Sequence, residues 1–203
     1  MKRFIILLSV CMLALHVNVW ARGTVGVLAG VCFSNSQQYQ GENPAPGRFT
    51  GGFAVNVDLP AGFTIQPAVQ FVMKQAYFSE NANYVKNVIE VPVSFQWGPD
   101  LMICRPFLDV TPYAGVMIGN DTGYYMSQGQ VLTRFTNVEG RKRFEYGLGV
   151  GGGIDVWRLR FIARYFWNFG SMFEDRQITN VSGYKFGNDN FKGLTLTMAF
   201  FLF

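Results

Sequence analysis

Three groups of residues have types and spacings that can do chemistry. The first is "GLGVGGG", Gly147 to Gly153, in which Gly147, Gly149 and Gly152 satisfy G-x-G-x-x-G. That spacing cradles a dinucleotide only where a strand feeds it and a helix opens from it, because free N–H groups at a helix N-terminus hold the phosphate. The second is a set of charges: Glu90, Glu145, Asp155, Arg160 and Arg164, with Asp58. Such groups either neutralise one another or line a gated path for protons or small ions. The third is the cation cluster Arg134, Arg141, Lys142 and Arg143, around "GRKRF". A guanidinium fork matches two phosphate oxygens, so these side chains either serve lipid phosphates or form a solvated loop base. Glu174 and Asp175 add two adjacent carboxylates, read either as solvated or as a divalent-cation site.

The elements that carry these residues choose between the readings. After Gly153 the chain runs "IDVWRLRFIARYFWNF", where Leu159, Phe161, Ala163, Tyr165, Trp167 and Phe169 alternate with Arg158, Arg160, Ile162, Arg164, Phe166 and Asn168. That is period two, a strand and not a helix. The glycines alternate too, with Phe144, Tyr146, Leu148, Val150, Ile154 and Val156 on the opposite parity. A strand face emptied by glycine leaves room for bulky neighbours inside a small closed barrel. The nucleotide reading fails for want of its helix.

Residues 1–21 read as a cleaved secretory signal peptide. Lys2 and Arg3 precede a largely apolar run from Phe4 to Leu15, and Ala21 closes a "VWA" cleavage site. The run is shorter than the roughly 20 residues of a bilayer-spanning helix. Losing Lys2 and Arg3 takes the 17 basic groups to 15 against 13 acidic ones, so residues 22–203 carry a net charge of +2 and give no sign of nucleic-acid binding. His16, the only histidine, leaves with the signal, which removes His-based triads and His-ligated metals. No cofactor is expected and the chain is read as non-enzymatic. Cys32 and Cys104 fall at opposite ends of the expected barrel, too far apart to bridge.

Eight alternating segments recur: 23–33, 47–58, 62–74, 84–97, 105–118, 143–156, 158–169 and 191–203. About ten residues is what a tilted strand needs to cross a bilayer. The connections 34–46, 75–83, 119–142 and 170–190 are long and polar, whereas those around Pro60, Gly98 and Trp157 are short. Long loops outside the cell and short periplasmic turns are the arrangement of outer-membrane barrels. The polar parity holds Asp58, Glu90, Glu145, Asp155, Arg160 and Arg164, which are costly in a dry core unless they pair across a narrow lumen. The apolar parity then faces lipid, with Trp97 and Trp157 near the turns and Tyr77, Tyr84, Trp167 and Phe169 near the loops as interfacial girdles. The expected fold is an all-β, eight-stranded, antiparallel, up-and-down transmembrane barrel over 22–203. Its expected place is the bacterial outer membrane, and its lumen is expected to be closed by Arg160 and Arg164 set against Glu90 and Glu145.

Several pieces carry a family likeness: Tyr84 followed by Glu90-Val91-Pro92, Arg105-Pro106-Phe107 leading to Tyr113-Ala114-Gly115, the glycine-alternating sixth segment, and Ala163-Arg164-Tyr165. In that order, over nearly the whole chain after the signal, the sequence resembles the PorT-like outer-membrane β-barrel family. The resemblance implies a barrel whose last strand ends in an element read by the barrel-assembly machinery, here Phe203. One member of that family belongs to a protein-secretion system. The apolar parity of the last segment, Leu194, Leu196, Met198, Phe200 and Leu202, is not that of Phe203, so a bulge or shifted register is expected there.

The functional expectation is a structural or loop-mediated interaction protein among outer-membrane lipids, lipopolysaccharide included, with an unidentified protein as a further partner. The alternatives are an accessory to protein secretion, a lipopolysaccharide-binding module and, with less in its favour, a lipid-modifying enzyme.

Overall fold

A computed structural model describes residues 23–37, 41–42, 45–79, 82–127, 130–136, 142–170 and 190–202; in 78–79, 82, 123–127 and 130–136 it describes the backbone only. Residues 1–22, among them the expected signal, lie outside the described residues, as do Arg141, Glu174, Asp175 and Phe203.

The strands are β1 (Gly23–Ser36), β2 (Gly47–Asp58), β3 (Phe63–Ser79), β4 (Ala82–Trp97), β5 (Arg105–Ser127), β6 (Gln130–Thr136), β7 (Phe144–Val156), β8 (Leu159–Phe169) and β9 (Phe191–Phe201). Each pairs antiparallel with its neighbours, and β9 returns to β1 from Gly26↔Phe201 to Ser36↔Phe191. With β4 also paired to β5, the ring β1-β2-β3-β4-β5-β7-β8-β9 closes on itself. Closure removes every sheet edge from the ring, the condition a strand structure must meet inside a bilayer.

β6 stands outside the ring. β5 runs 23 residues, pairing with β7 up to Val116↔Phe144 and then with β6 from Thr122↔Thr136 to Ser127↔Gln130. The expected loop 119–142 is therefore largely a hairpin that prolongs the wall. The expected loop 75–83 is likewise mostly strand, with Tyr77↔Asn83 still paired. Both stretches lack the apolar–polar alternation that marks a membrane-crossing strand, so the sequence shows them as loops.

At the other end the turns are tight. Pro60–Gly62 form one 3-10 turn, with Ala61 and Gly62 in the left-handed region at φ 62° and 77°. Trp157, at φ 57°, makes the β7–β8 corner and sets Val156↔Leu159 and Asp155↔Arg160 opposite each other.

The two faces divide as lipid solvent demands. Phe53, Val69, Phe95, Leu108 and Val150 are exposed on the outer wall, while Gln66, Gln70, Lys74, Glu90, Gln96, Asp109, Glu145 and Arg160 are buried within. A water-soluble barrel has the reverse construction. β9 runs through 191–201 without a register shift against β1 or β8, so the expected bulge does not occur there. Phe201 turns inward onto Leu28, Ala54, Ala68 and Ala199 instead. Tyr84 also departs from its expected girdle place: it shares the inward parity of Glu90 and stacks on Phe191 at 6.5 Å inside the barrel.

Candidate functional site: the lumen

The lumen is filled by side chains in three polar layers. In the layer nearest the turns, Arg160 grips Asp155 through Nε to Oδ1 at 2.6 Å and Nη2 to Oδ2 at 2.8 Å. Arg105 donates to the same carboxylate at 3.2 Å and to the Gly62 carbonyl at 2.8 Å. Arg160 Nη1 also reaches Asn56 Oδ1 and Gln66 Oε1. Its guanidinium lies 5.1 Å from the Phe107 ring and 5.0 Å from that of Phe201, so aromatic faces cover what the oxygens do not.

In the middle layer Arg164 Nε donates to Asp109 Oδ2 at 2.6 Å and Nη2 donates to Ser94 Oγ at 2.8 Å. Thr111 Oγ1 lies 2.9 Å from both Asp109 Oδ2 and Ser94 Oγ.

The layer nearest the loops holds two lysines and two glutamates. Lys74 Nζ sits 2.6 Å from Glu90 Oε1 and 2.6 Å from Glu145 Oε1, and donates to Asn168 Oδ1 at 3.1 Å. Lys86 pairs with the other Glu145 oxygen, Oε2, and Gln70 Nε2 donates to Glu90 Oε2 at 3.2 Å. Lys74 also lies 5.0 Å from the Tyr113 ring and 4.8 Å from that of Phe166. The four charges cancel, so the desolvation cost of each is offset by a partner in contact.

Glycines make this filling sterically feasible. A Cβ at Gly147 would strike the Tyr113 hydroxyl, one at Gly149 the aliphatic stem of Arg164, and one at Gly153 the Phe107 ring. The "GLGVGGG" stretch is thus an interior strand of β7, paired from Gly147↔Asn168 to Gly153↔Ile162 with no helix following. Its spacing serves packing, not phosphate.

The structure brings Glu90, Glu145, Asp155, Arg160 and Arg164 into one lumen but distributes them over separate layers, whereas Asp58 is exposed at the turn end of β2, accepting from Asn56 and Thr64. Arg160 meets Asp155, whereas neither arginine meets Glu90 or Glu145, as the sequence had suggested. Lys74, Lys86 and Asp109 carry no signal of their own in the sequence, and Arg105 stands out only in the family likeness, although their parity places all four inward beside the expected charges. Of the loop cations, Lys142 and Arg143 are exposed where β7 begins, and the Arg143 carbonyl accepts from Met117 N at 2.7 Å. Arg134 lies on β6 opposite Tyr124. Lys142 shares the outward parity of Phe144 and Tyr146, whose stacked rings continue to Phe169 as a band on the outer wall.

The apolar exterior, the closed ring and the ion-paired interior define the class: an eight-stranded antiparallel barrel built to cross a lipid bilayer. No family model matches the chain, and no curated protein matches it. Among solved structures it is similar to Neisserial surface protein A at 14% identity, covering 91% of this chain and all of that one with a TM-score of 0.47. It is also similar to Ail, the attachment invasion locus protein of Yersinia pestis, at 10% identity, covering 89% and 97% with a TM-score of 0.43. A third likeness is to the N-terminal β-barrel domain of Pseudomonas aeruginosa OprF, at 9% identity, covering 90% and 99% with a TM-score of 0.41.

Proposed function

We propose that this chain is an integral protein of the bacterial outer membrane: a barrel shut by its own lumen side chains, which acts through the parts it holds outside the cell. The observation that carries this reading is the inversion of faces, bulky apolar side chains outward and paired charges inward. The Lys74–Glu90–Glu145–Lys86 quartet supports a closed interior, since passage of an ion would require breaking contacts among fully desolvated charges. Eight strands leave an interior that side chains can fill, unlike a diffusion porin. The role is read as structural and interactive, not enzymatic: the hydroxyls of Ser94 and Thr111 beside Asp109 are buried within the lumen packing.

The extended hairpin of β5 and β6 is the natural contact surface for a partner, and the cations at Arg134, Arg141, Lys142 and Arg143 suit lipopolysaccharide phosphates. The narrower placement among PorT-like barrels rests on the sequence pieces around Glu90, Arg105, Tyr113 and Arg164. An accessory role in secretion, or recognition of Phe203 by the assembly machinery, follows only if that placement holds.

The test is a heat-modifiability gel on fractionated membranes, followed by conductance in planar bilayers. Outer-membrane protein that migrates faster unboiled than boiled, and that carries no steady current, supports the reading. Protein in the soluble periplasm without a mobility shift overturns it.

A further inference from the structure

The outer wall is bulky nearly everywhere except across β7, β8, β9 and β1. There Gly152, Ala163 and Ala29 form the floor of an apolar depression of about 450 Å³ walled by Phe161, Leu196 and Met198. The register explains the dent: Gly152 pairs with Ala163, Ala163 with Leu196, Phe161 with Met198, and Met198 with Ala29. Two outward rows thus place small residues diagonally across four strands.

A cation stands below it at the turn rim, past the row of Val156, Leu159 and Phe200. Among the described residues of the turn rim, Arg158 is the exposed one with a positive charge. Its guanidinium lies 5.4 Å from the ring of the exposed Trp157 and donates from Nη1 to the Leu202 carbonyl at 3.3 Å. From Arg158 to Ala163 is five residues of β8, roughly 16 Å along the strand and within reach of a fatty acyl chain. Tryptophan beside an arginine at a strand end marks the headgroup level of a bilayer.

We propose that this depression with Arg158 is a binding site for one glycerophospholipid of the periplasmic leaflet. The phosphate sits on Arg158 beside Trp157 and one acyl chain lies in the groove over Ala163. Charge complementarity selects this occupant. A second copy seated on the same groove about a two-fold axis normal to the membrane would set Arg158 against its own mate, like charge against like. The proposal rests on the membrane-barrel reading above, since turns at the periplasmic end decide the leaflet.

The test is native mass spectrometry of the full chain, purified in detergent and incubated with palmitoyl-oleoyl phosphatidylglycerol, with heat modifiability checked on the same samples. Wild type should retain one lipid adduct. Ala163→Phe, which fills the groove from outside the wall, and Arg158→Gln, which removes the cation, should each weaken it about tenfold, while Ala114→Phe on the outer face of β5 should leave it unchanged. An adduct that survives both substitutions in a compact barrel overturns the site alone. So does a lipid-free dimer that Ala163→Phe abolishes, because the groove is then an interface between copies. Wild type with no compact unboiled form overturns the barrel reading and this site with it.

Discussion

Arg160 and Asp155 stand directly opposite each other on β8 and β7 and close on one another through two hydrogen bonds of 2.6 and 2.8 Å. The same carboxylate also receives Arg105, so a single acid holds two guanidinium groups at the turn end of the lumen. Asp155→Asn would leave a buried arginine without its counter-charge. Loss of one partner of a buried pair costs about 3 kcal/mol or more. The urea midpoint of the refolded barrel in lipid vesicles should fall accordingly, and Arg105→Gln, which leaves the Arg160 pair intact, should cost less.

The loop-side quartet predicts an order. Glu145 serves both Lys74 and Lys86, whereas Glu90 serves Lys74, which keeps Glu145 when Glu90 is lost. Glu145→Gln should therefore destabilise the barrel more than Glu90→Gln. Equal losses in denaturant titrations of the two variants would contradict this division of contacts.

The interior of β7 tolerates no added carbon where Arg164 crosses it. Gly149→Ala sets a Cβ against the stem of a side chain already fixed by Asp109 and Ser94, so the arginine cannot swing away freely. Overpacking of this kind costs about 1–3 kcal/mol. Gly23→Ala, with nothing within 4 Å of the new Cβ, should be neutral in the same assay.

On the lipid side the cost of a charge should follow depth. Val150 lies midway along β7 and Val156 at its turn end. Val150→Arg should destabilise by about 2–4 kcal/mol, and Val156→Arg by about 1 kcal/mol or less. Equal effects in unfolding experiments in vesicles would place the hydrocarbon elsewhere on the wall.

Removing the loop cations should change what the protein carries. Arg141→Ala with Lys142→Ala is expected to lower the lipopolysaccharide that copurifies, assayed by its phosphate content, with the heat-modifiable form retained. Unchanged lipid content would leave those side chains as a solvated loop base.

The faces of this barrel could be read from sequence because period two is local: Glu90, Glu145, Asp155, Arg160 and Arg164 fall inward as soon as their strands are recognised. The pairings were not. A one-residue corner at Trp157 sets Asp155 against Leu159 by counting, but the turn takes in Arg158 as well, so that Asp155 meets Arg160. Lys74 on β3 meets Glu145 on β7 across the lumen, a contact fixed by the stagger of strands around the closed ring, which no single segment encodes. Tyr84 reads as a girdle aromatic at a strand end and Lys86 carries no signal of its own, because β4 continues beyond the apolar belt and both side chains turn into the lumen there. The hairpin of β5 and β6 was hidden for the same reason.

That hairpin gives the molecule reach. β5 continues eleven residues past Val116, where β7 begins opposite it, so its paired backbone extends roughly 36 Å further along the strand. A strand inclined by about 40° still converts most of that length into height. The protein is thus a short mast stepped in the membrane. An antibody, a phage or a protease arriving from the medium meets its tip well before touching the wall that holds it upright.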